Sequence, residues 1–170
     1  RTLPLFQIVD FDTPVPLGGG VTVRLPAAGH ILGSASPVLT ADGVTLAFSG
    51  DLGRANHPLL RPPAPPPAAS AIIVESTYGD RIHPPHPQQA LADAINRTVD
   101  RGGSVVIPAF AVDRTELLVL ALQDLTRAGR IPRLPIFLDS PMALRGLQVY
   151  QAAVARGSGD VRPDLPVDLL

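Results

Sequence analysis

The amino-acid sequence predicts a mixed α/β fold. In its first part, Val21–Leu25 and Val44–Phe48 alternate apolar and polar residues, which is typical of half-buried strands. In its second part, helical patterns alternate with short apolar runs, which favours a parallel sheet layer with helices. The chain has 170 residues, 45% of them apolar and 17% charged. A sizeable core is therefore expected rather than disorder.

The composition also excludes several classes of protein. No apolar run approaches the roughly 20 residues that span a bilayer, and the first residues lack the order of a signal peptide, so no membrane partner is expected. The sequence has no cysteine, so a metal would have to bind His, Asp or Glu. The net charge of −1 argues against a globally basic nucleic-acid-binding protein, although a local patch remains open. We predict a soluble, cytoplasmic protein and leave open a homo-oligomer.

Polar residues flanked by glycine follow two of the predicted strands. His30 lies in the segment 28–35, and Asp51 lies in the segment 49–54. Polar groups at strand ends beside glycine are candidates for a functional site. The proline-rich segment 61–67 is expected to be an extended connection without helix or strand.

The middle of the chain predicts a strand, a helix and a second strand. Ala71–Val74 reads as a short buried strand that carries Glu75 to the rim of the sheet. Apolar residues at four-residue steps from Leu91 to Val99 predict a helix, which a pair of glycines ends. Ser104–Ile107 is expected to form the next strand.

The last part predicts two helices around one strand. Asp113 and Glu116 resemble a capping box, followed by a helical apolar face that continues to Gly129. Pro135–Leu138 reads as a further buried strand, and a helix is expected over Met142–Ala155. Asp139, which directly follows the strand, is one candidate for the cap of that helix.

Taken singly, the candidate site residues allow more than one interpretation. His30 and Asp51 could bind zinc or a hard divalent ion, yet a lone histidine beside glycine is more often a hydrogen-bonded loop residue. Glu75 could be a site carboxylate or a strand-end charge that reaches water. His83 and His86 flank two prolines and read as exposed loop residues rather than as ligands.

Two arginines and a serine could bind phosphate oxygens. A guanidinium binds a phosphate group through two hydrogen bonds, and a hydroxyl donates one. These residues are Arg81, Arg114 and Ser140. As isolated residues they are weak indications.

Five blocks of sequence, taken in chain order, resemble a single family. They are AGHILGSA at 28–35, SGDLGR at 49–54, ESTYGDR at 75–81, PAFAVDRT at 108–115 and LDSPMA at 138–143. In this order they resemble the β-CASP branch of the metallo-β-lactamase superfamily, which contains zinc-dependent nucleases that process RNA. The family usually has glycine where this chain has Asp113, which affects the expected loop geometry there.

The resemblance implies a fold in two parts. Residues 1–74 would form the rear part of the metallo-β-lactamase αββα sandwich, cut at its N-terminal side. Residues 75–170 would form the front part of the β-CASP α/β insert, cut at its C-terminal side.

The resemblance also implies roles for the candidate residues. His30 would be a zinc ligand, and Asp51 would be the carboxylate that bridges two zinc ions. Glu75 would be the carboxylate that in the family lies beside a general-acid histidine, so Asp51 and Glu75 are the expected catalytic residues. The implied activity is hydrolysis of phosphodiester bonds in RNA, by an endonuclease with or without a 5′-exonuclease mode. The residues expected to bind the RNA substrate are Arg81, Arg114 and Ser140.

Some family motifs have no counterpart in this chain. The His-x-His-x-Asp-His cluster is missing, because His30 is the first histidine, and no histidine follows His86. We therefore expect a fragment that is inactive alone. Two alternatives remain: a small-molecule hydrolase of the same superfamily fold, and a non-catalytic subunit that binds RNA or a protein.

Overall fold

The mixed α/β architecture is confirmed. A computed structural model of the chain describes residues 2–82 and 87–166, and within them it contains one five-stranded sheet and three α-helices. The described residues divide into two compact units. The first unit draws on Arg1–Thr77 and Gly159–Arg162, and the second on Tyr78–Ser158 and Pro163–Leu170.

The sheet lies in the first unit, and its strands follow one another in chain order. The first four strands are antiparallel to their neighbours, whereas β5 is parallel to β4. The strands are β1 (Val15–Gly18), β2 (Val21–Arg24), β3 (Val38–Ala41), β4 (Val44–Phe48) and β5 (Ala71–Ile73). The strands predicted around Val21 and Val44 are therefore confirmed.

A tight turn joins β3 to β4. Asp42 and Gly43 have φ angles of 48° and 76°, and Ala41 pairs with Val44 across the turn. Two-residue hairpin loops with positive φ at both positions match the twist of the flanking strands, which explains the Asp-Gly sequence. The sequence did not predict β1, because Pro16 interrupts its pattern, and proline is tolerated in a strand at the sheet's edge.

The burial predicted for Ala71–Val74 is wrong. The strand forms as β5 over Ala71–Ile73, but all of its residues are exposed. Among the residues that the structure describes, it is the last strand of the sheet and pairs with β4 alone. The proline-rich segment 61–67 contains no helix or strand, as predicted.

The three predicted helices all form. They are α1 (Pro87–Asp100), α2 (Arg114–Arg127) and α3 (Pro141–Arg156). Helices α1 and α2 pack through a cluster of buried apolar residues: Ala92, Ile95, Leu122, Leu125 and Ile131. None of the helices that the structure describes is long and apolar enough to cross a membrane.

Helix α3 begins at a serine cap. The Oγ atom of Ser140 accepts a hydrogen bond from the backbone N–H of Ala143 at 3.2 Å. This bond satisfies one of the free N–H groups of the first turn. The interpretation of Asp139 as the cap is therefore wrong.

The strands predicted at Ser104–Ile107 and Pro135–Leu138 are also wrong. Within the described residues, neither segment is paired into a sheet, and Val106 and Phe137 are 88% and 87% exposed. An apolar run becomes a strand only when its backbone groups pair with a neighbour. The apolar pattern was present here, but the partner strand was not.

The predicted capping box at the start of α2 does not form. Asp113 makes no side-chain cap bond; its Oδ1 atom instead accepts a hydrogen bond from the Tyr150 hydroxyl at 3.1 Å. The N–H of Arg114 donates to the Val112 carbonyl at 2.9 Å, which places Asp113, with φ 66°, at the centre of a γ-turn. Glu116, the other half of the predicted box, is completely buried.

Candidate functional site

The carboxyl ends of β4 and β5 place two candidate carboxylates at the same edge of the sheet. The two strands are parallel, and Phe48 pairs with Ile73 near their ends. Asp51 follows the first of these residues by three positions, and Glu75 follows the second by two. We call the segments 28–34, 49–53 and 75–77 the strand-end site.

Glu75 is bound to both ends of the short loop that carries Asp51. Its Oε1 atom accepts a hydrogen bond from the Leu52 N–H at 2.6 Å, and its own N–H donates to Ser49 Oγ at 2.9 Å. The Ser49 N–H in turn donates to the Ile73 carbonyl at 2.9 Å. The Asp51 loop is therefore fixed to the end of β5.

These contacts keep Glu75 ionised. The hydrogen bond from the Leu52 N–H lowers the pKa of the Glu75 carboxyl most, and the hydroxyl of Thr77 lowers it further. The positive charge of His30 also lowers this pKa, whereas partial desolvation opposes the shift. Glu75 therefore carries a negative charge at neutral pH.

The loop that carries His30 is held by a serine. Ser34 Oγ accepts hydrogen bonds from the backbone N–H groups of His30 and Ile31, at 2.9 and 3.2 Å. The Ser34 carbonyl accepts from the Ala28 N–H at 2.9 Å. These bonds close the loop and fix the backbone of His30, whose imidazole is half-buried.

The His30 and Asp51 loops pack backbone against backbone. The Gly53 N–H donates to the Ala28 carbonyl at 2.9 Å, and a Cβ atom on Gly53 would overlap the Gly29 oxygen. Gly29 has φ 63°, and a Cβ there would lie 2.6 Å from the Arg61 oxygen. A side chain at Gly53 would force the two loops apart, whereas a side chain at Gly29 would collide with the backbone of the proline-rich segment at Arg61 and Pro63.

The strand-end site therefore gathers one imidazole and two carboxylates on adjoining loops. His30 is half-buried and Asp51 is exposed, so a solute can reach both. Within residues 2–82 and 87–166, no group of three or more His, Asp or Glu side chains is arranged to hold a metal ion. His83 and His86 lie outside the described residues.

The sequence is similar to ribonucleases over most of its length. Ribonuclease TTHA0252 of Thermus thermophilus is 40% identical to it over 146 residues, which are 85% of this chain and 33% of that protein. The chain belongs to the β-CASP family of the metallo-β-lactamase superfamily. Nucleases of this superfamily are metal-dependent. No protein-family model matches the sequence.

Two eukaryotic relatives match a longer stretch at lower identity. Endoribonuclease ysh1 of Emericella nidulans is 30% identical over 166 residues, 95% of this chain and 19% of that protein. The Arabidopsis thaliana cleavage and polyadenylation specificity factor subunit 3-I is 30% identical over 166 residues, again 95% of this chain and 24% of that protein. The chain thus spans between about a fifth and a third of the relatives' length.

The departure of this β-CASP chain from the family pattern has a structural consequence. Asp113 occupies the position where glycine is usual, and its φ of 66° is one that glycine adopts without strain. The backbone geometry suited to glycine is therefore present although the glycine is not. The hydrogen bond from Tyr150 holds the Asp113 side chain.

The residues expected to bind RNA belong to the second unit. The guanidinium of Arg81 lies over the ring of Tyr78, with its central carbon 4.6 Å from the ring centroid. Arg114 is exposed at the first turn of α2. Ser140 uses its Oγ atom to cap α3. Binding of phosphate by these three side chains stays a prediction.

The sequence did not single out the residues that hold the strand-end site together. Ser34, Ser49 and Thr77 all contact a candidate residue or its loop. The available signal was a hydroxyl residue within four positions of each candidate, since such side chains commonly bond to nearby backbone groups.

His57 has a structural role in the first unit. It is almost fully buried, and its Nδ1 atom accepts hydrogen bonds from the backbone N–H groups of Leu59 and Leu60 at 3.1 and 2.9 Å. An Nδ1 atom that accepts these bonds directs its lone pair at the backbone. His57 thus anchors the start of the proline-rich segment.

Proposed function

We propose that this chain supplies part of the catalytic centre of a zinc-dependent ribonuclease. The observation that carries the proposal is the joining of the His30, Asp51 and Glu75 loops at one edge of the sheet. The ribonuclease relatives support the choice of RNA as substrate. The proposed reaction is hydrolysis of phosphodiester bonds, in the cytoplasm.

The proposed organisation has two parts. Residues 1–74 supply the rear part of the metallo-β-lactamase-like core, and residues 75–170 supply the front part of the β-CASP insert. Under this assignment Asp51 and His30 belong to the metal-binding core. Glu75 is the first residue of the insert, and its bond to the Leu52 N–H ties the insert to the core.

The donor chemistry of the strand-end site fits zinc. Imidazole nitrogen and carboxylate oxygen are both zinc ligands, and the exposed Asp51 offers a carboxylate with two donor oxygens. His30 and Asp51 would hold the metal, and the remaining ligands would come from outside this chain. A zinc pair supplies positive charge for the phosphoryl oxygens and hydroxide at neutral pH.

The other residues of the site have positioning roles in this proposal. Glu75 remains ionised and keeps the Asp51 loop in place through Leu52. It would also orient the general-acid histidine that the family resemblance implies, a residue that this chain does not itself supply. The exposed guanidinium groups of Arg81 and Arg114 contact phosphates of the RNA. Ser140 donates its hydroxyl hydrogen to a phosphate oxygen while its lone pair caps α3.

A chimeric ribonuclease tests this function. The part of the Thermus ribonuclease that matches this chain is replaced by the chain itself, and cleavage of labelled single-stranded RNA is measured with added zinc. An internal label reports endonucleolytic cuts, and a 5′ label reports removal of single nucleotides. We expect metal-dependent cleavage that Asp51→Asn abolishes.

Asp42→Asn is the matched control for this experiment. It makes the same chemical change at an exposed hairpin turn of the same unit, and asparagine tolerates the positive φ there. It should leave cleavage unchanged. A folded chimera that binds RNA without cutting it would contradict the proposal and favour a non-catalytic binding subunit. If the chimera does not fold, this chain with its flanking reading frame is assayed in the same way.

A further inference from the structure

We propose that Tyr78 and Arg81 form a platform on which a base of single-stranded RNA stacks. The proposal rests on the proposed function, since it takes RNA as the substrate. It deepens that function by naming the side chains that bind a base rather than a phosphate.

The first observation is the exposure of the Tyr78 ring. Tyr78 is 58% exposed, whereas Tyr150, the other tyrosine of the sequence, is 1% exposed. Large aromatic side chains gain most when they are removed from water. An exposed ring is therefore available for a partner with an aromatic face.

The second observation is the position of Arg81. Its guanidinium lies over one face of the Tyr78 ring, 4.6 Å from the centroid. A cation over a ring face is attracted by the ring's quadrupole and restricts the ring's rotation. Arg81 thus covers one face, and because Tyr78 is 58% exposed overall, the proposal assigns the opposite face to a single stacked base.

The backbone fixes the direction of the platform. Tyr78 has a φ of 58°, which is unfavourable for a residue with a Cβ atom. Gly79, the next residue, would adopt such an angle without strain, yet the positive φ lies at the tyrosine. The Arg81 N–H donates to the Tyr78 carbonyl at 2.9 Å and closes the turn. The same turn therefore positions both members of the pair.

The chemistry of the pair fits nucleic acid. Every base has a π-face, so stacking on an aromatic ring tolerates any sequence, and arginine adds a cation–π contribution. The edge of the Arg81 guanidinium keeps N–H groups that can bind a backbone phosphate. Tyr78 follows Glu75 by three residues, which places the platform next in sequence to a proposed catalytic residue.

Nuclear magnetic resonance of the chain with labelled tyrosine rings tests the proposal. Two tyrosines give two sets of ring signals, and Tyr78→Phe assigns them. The probes are a short oligoadenylate and an abasic oligomer of equal length, at the same ionic strength. We expect an upfield ring-current shift of Tyr78 with oligoadenylate only, while the buried Tyr150 is unchanged.

Binding measurements separate recognition from a structural role. Tyr78→Asn removes the ring but tolerates positive φ, so the chain should stay at least as stable while its affinity for oligoadenylate falls about fivefold to a hundredfold. Tyr78→Phe should retain affinity. Phe137→Ala, which removes another exposed ring of the second unit, should have no effect.

Two results would overturn the platform. They are equal shifts of the Tyr78 signals with both oligomers, and unchanged affinity of Tyr78→Asn for oligoadenylate.

The outcome is distinguishable from failure of the proposed function. In the chimeric ribonuclease, Tyr78→Asn should raise KM with kcat little changed. If Asp51→Asn abolishes cleavage but Tyr78→Asn changes neither KM nor kcat, only the stacking proposal is refuted. If a folded chimera binds oligoadenylate through Tyr78 but does not cleave RNA, only the proposed ribonuclease function is refuted.

Discussion

Two glutamates, one in each unit, show how differently the two parts of the molecule treat a carboxyl group. Glu75 lies at a strand end and accepts a hydrogen bond from the Leu52 N–H, which lowers its pKa. Glu116 is completely buried in the first turn of α2, and within the described residues neither of its oxygens makes a hydrogen bond of normal distance and angle. Desolvation raises the pKa of Glu116 most and the charge of Asp113 raises it too, whereas the backbone N–H groups of Glu116 and Asp113 partly oppose the shift.

The difference follows from where each carboxyl finds its partners. The loops of the first unit are closed by hydroxyl and backbone groups close in sequence, such as Ser34 with His30. The second unit instead exposes apolar segments around Val106 and Phe137 while it buries a carboxyl. The first unit thus favours the ionised form of Glu75, whereas the second unit favours the protonated, neutral form of Glu116.

The largest effect is expected at the contact between the two loops of the strand-end site. Gly53→Ala should destabilise the first unit by at least about 3 kcal/mol, because its Cβ would overlap the Gly29 oxygen and the backbone must move. Urea unfolding measures the loss. Gly159→Ala, where a Cβ meets nothing within 4 Å, is the control. Equal stability of both variants would show that the loops are not packed as described.

Glu116 should make the chain less stable as the pH rises. The folded-state pKa lies above the ordinary value of 4.5, so between these two values the folded state keeps a proton that the unfolded state releases. The contribution of Glu116 to stability is then greatest below about pH 4.5 and falls as the pH rises through its folded-state pKa. Glu116→Gln should remove this fall, and at pH 7 it should be more stable than the parent by about 1–3 kcal/mol.

Urea unfolding at several pH values checks this prediction. Gln123→Glu is not a suitable control, because Gln123 Oε1 is itself buried without a partner. Asp124→Asn, a neutralisation at an exposed position of the same helix, should leave the fall in stability above about pH 4.5 intact. An unchanged pH profile for Glu116→Gln would mean that its carboxyl has a partner.

Glu75 should show the opposite pH dependence and a smaller effect on stability. Its folded-state pKa is lowered, so its contribution is present above about pH 4.5 and is lost as the pH falls through the folded-state value. Glu75→Gln should flatten this acid loss. In the chimera it should slow cleavage and alter its pH dependence without removing zinc, because the amide oxygen can still accept from the Leu52 N–H.

Metal analysis and the pH–rate profile separate the possible roles of Glu75. Loss of zinc from Glu75→Gln would make Glu75 a metal ligand. Unchanged kinetics would make it an ordinary strand-end charge.

The sequence predicted an element correctly where the groups that stabilise it lie close to it in the chain. The Asp42-Gly43 turn and the glycine-ended helices depend on local contacts, and they form as expected. Ser104–Ile107 and Pro135–Leu138 failed as strands because pairing depends on distant segments that an apolar run does not specify. Asp113 and Glu116 failed as a capping box because Tyr150, distant in sequence, binds Asp113.

The candidate site was also predictable only where its features are local in the chain. Glycines beside His30 and Asp51 marked the loops from sequence, and the parallel pairing of β4 and β5 then explains why Glu75 joins them. The hydrogen bond from Leu52 to Glu75 involves a backbone N–H, which has no signature in the side-chain sequence.

The central claim is that this chain supplies part of a zinc site. Zinc content after purification, measured together with RNA cleavage for the chain alone and for the chimeric ribonuclease, tests it most directly. The chain alone offers His30 and Asp51 as matched ligands, fewer than the three protein ligands of a catalytic zinc. We predict no tight zinc, no cleavage and self-association through its exposed apolar residues, but zinc and cleavage in the chimera, both reduced by Asp51→Asn. Stoichiometric zinc with metal-dependent cleavage in the chain alone would contradict the account.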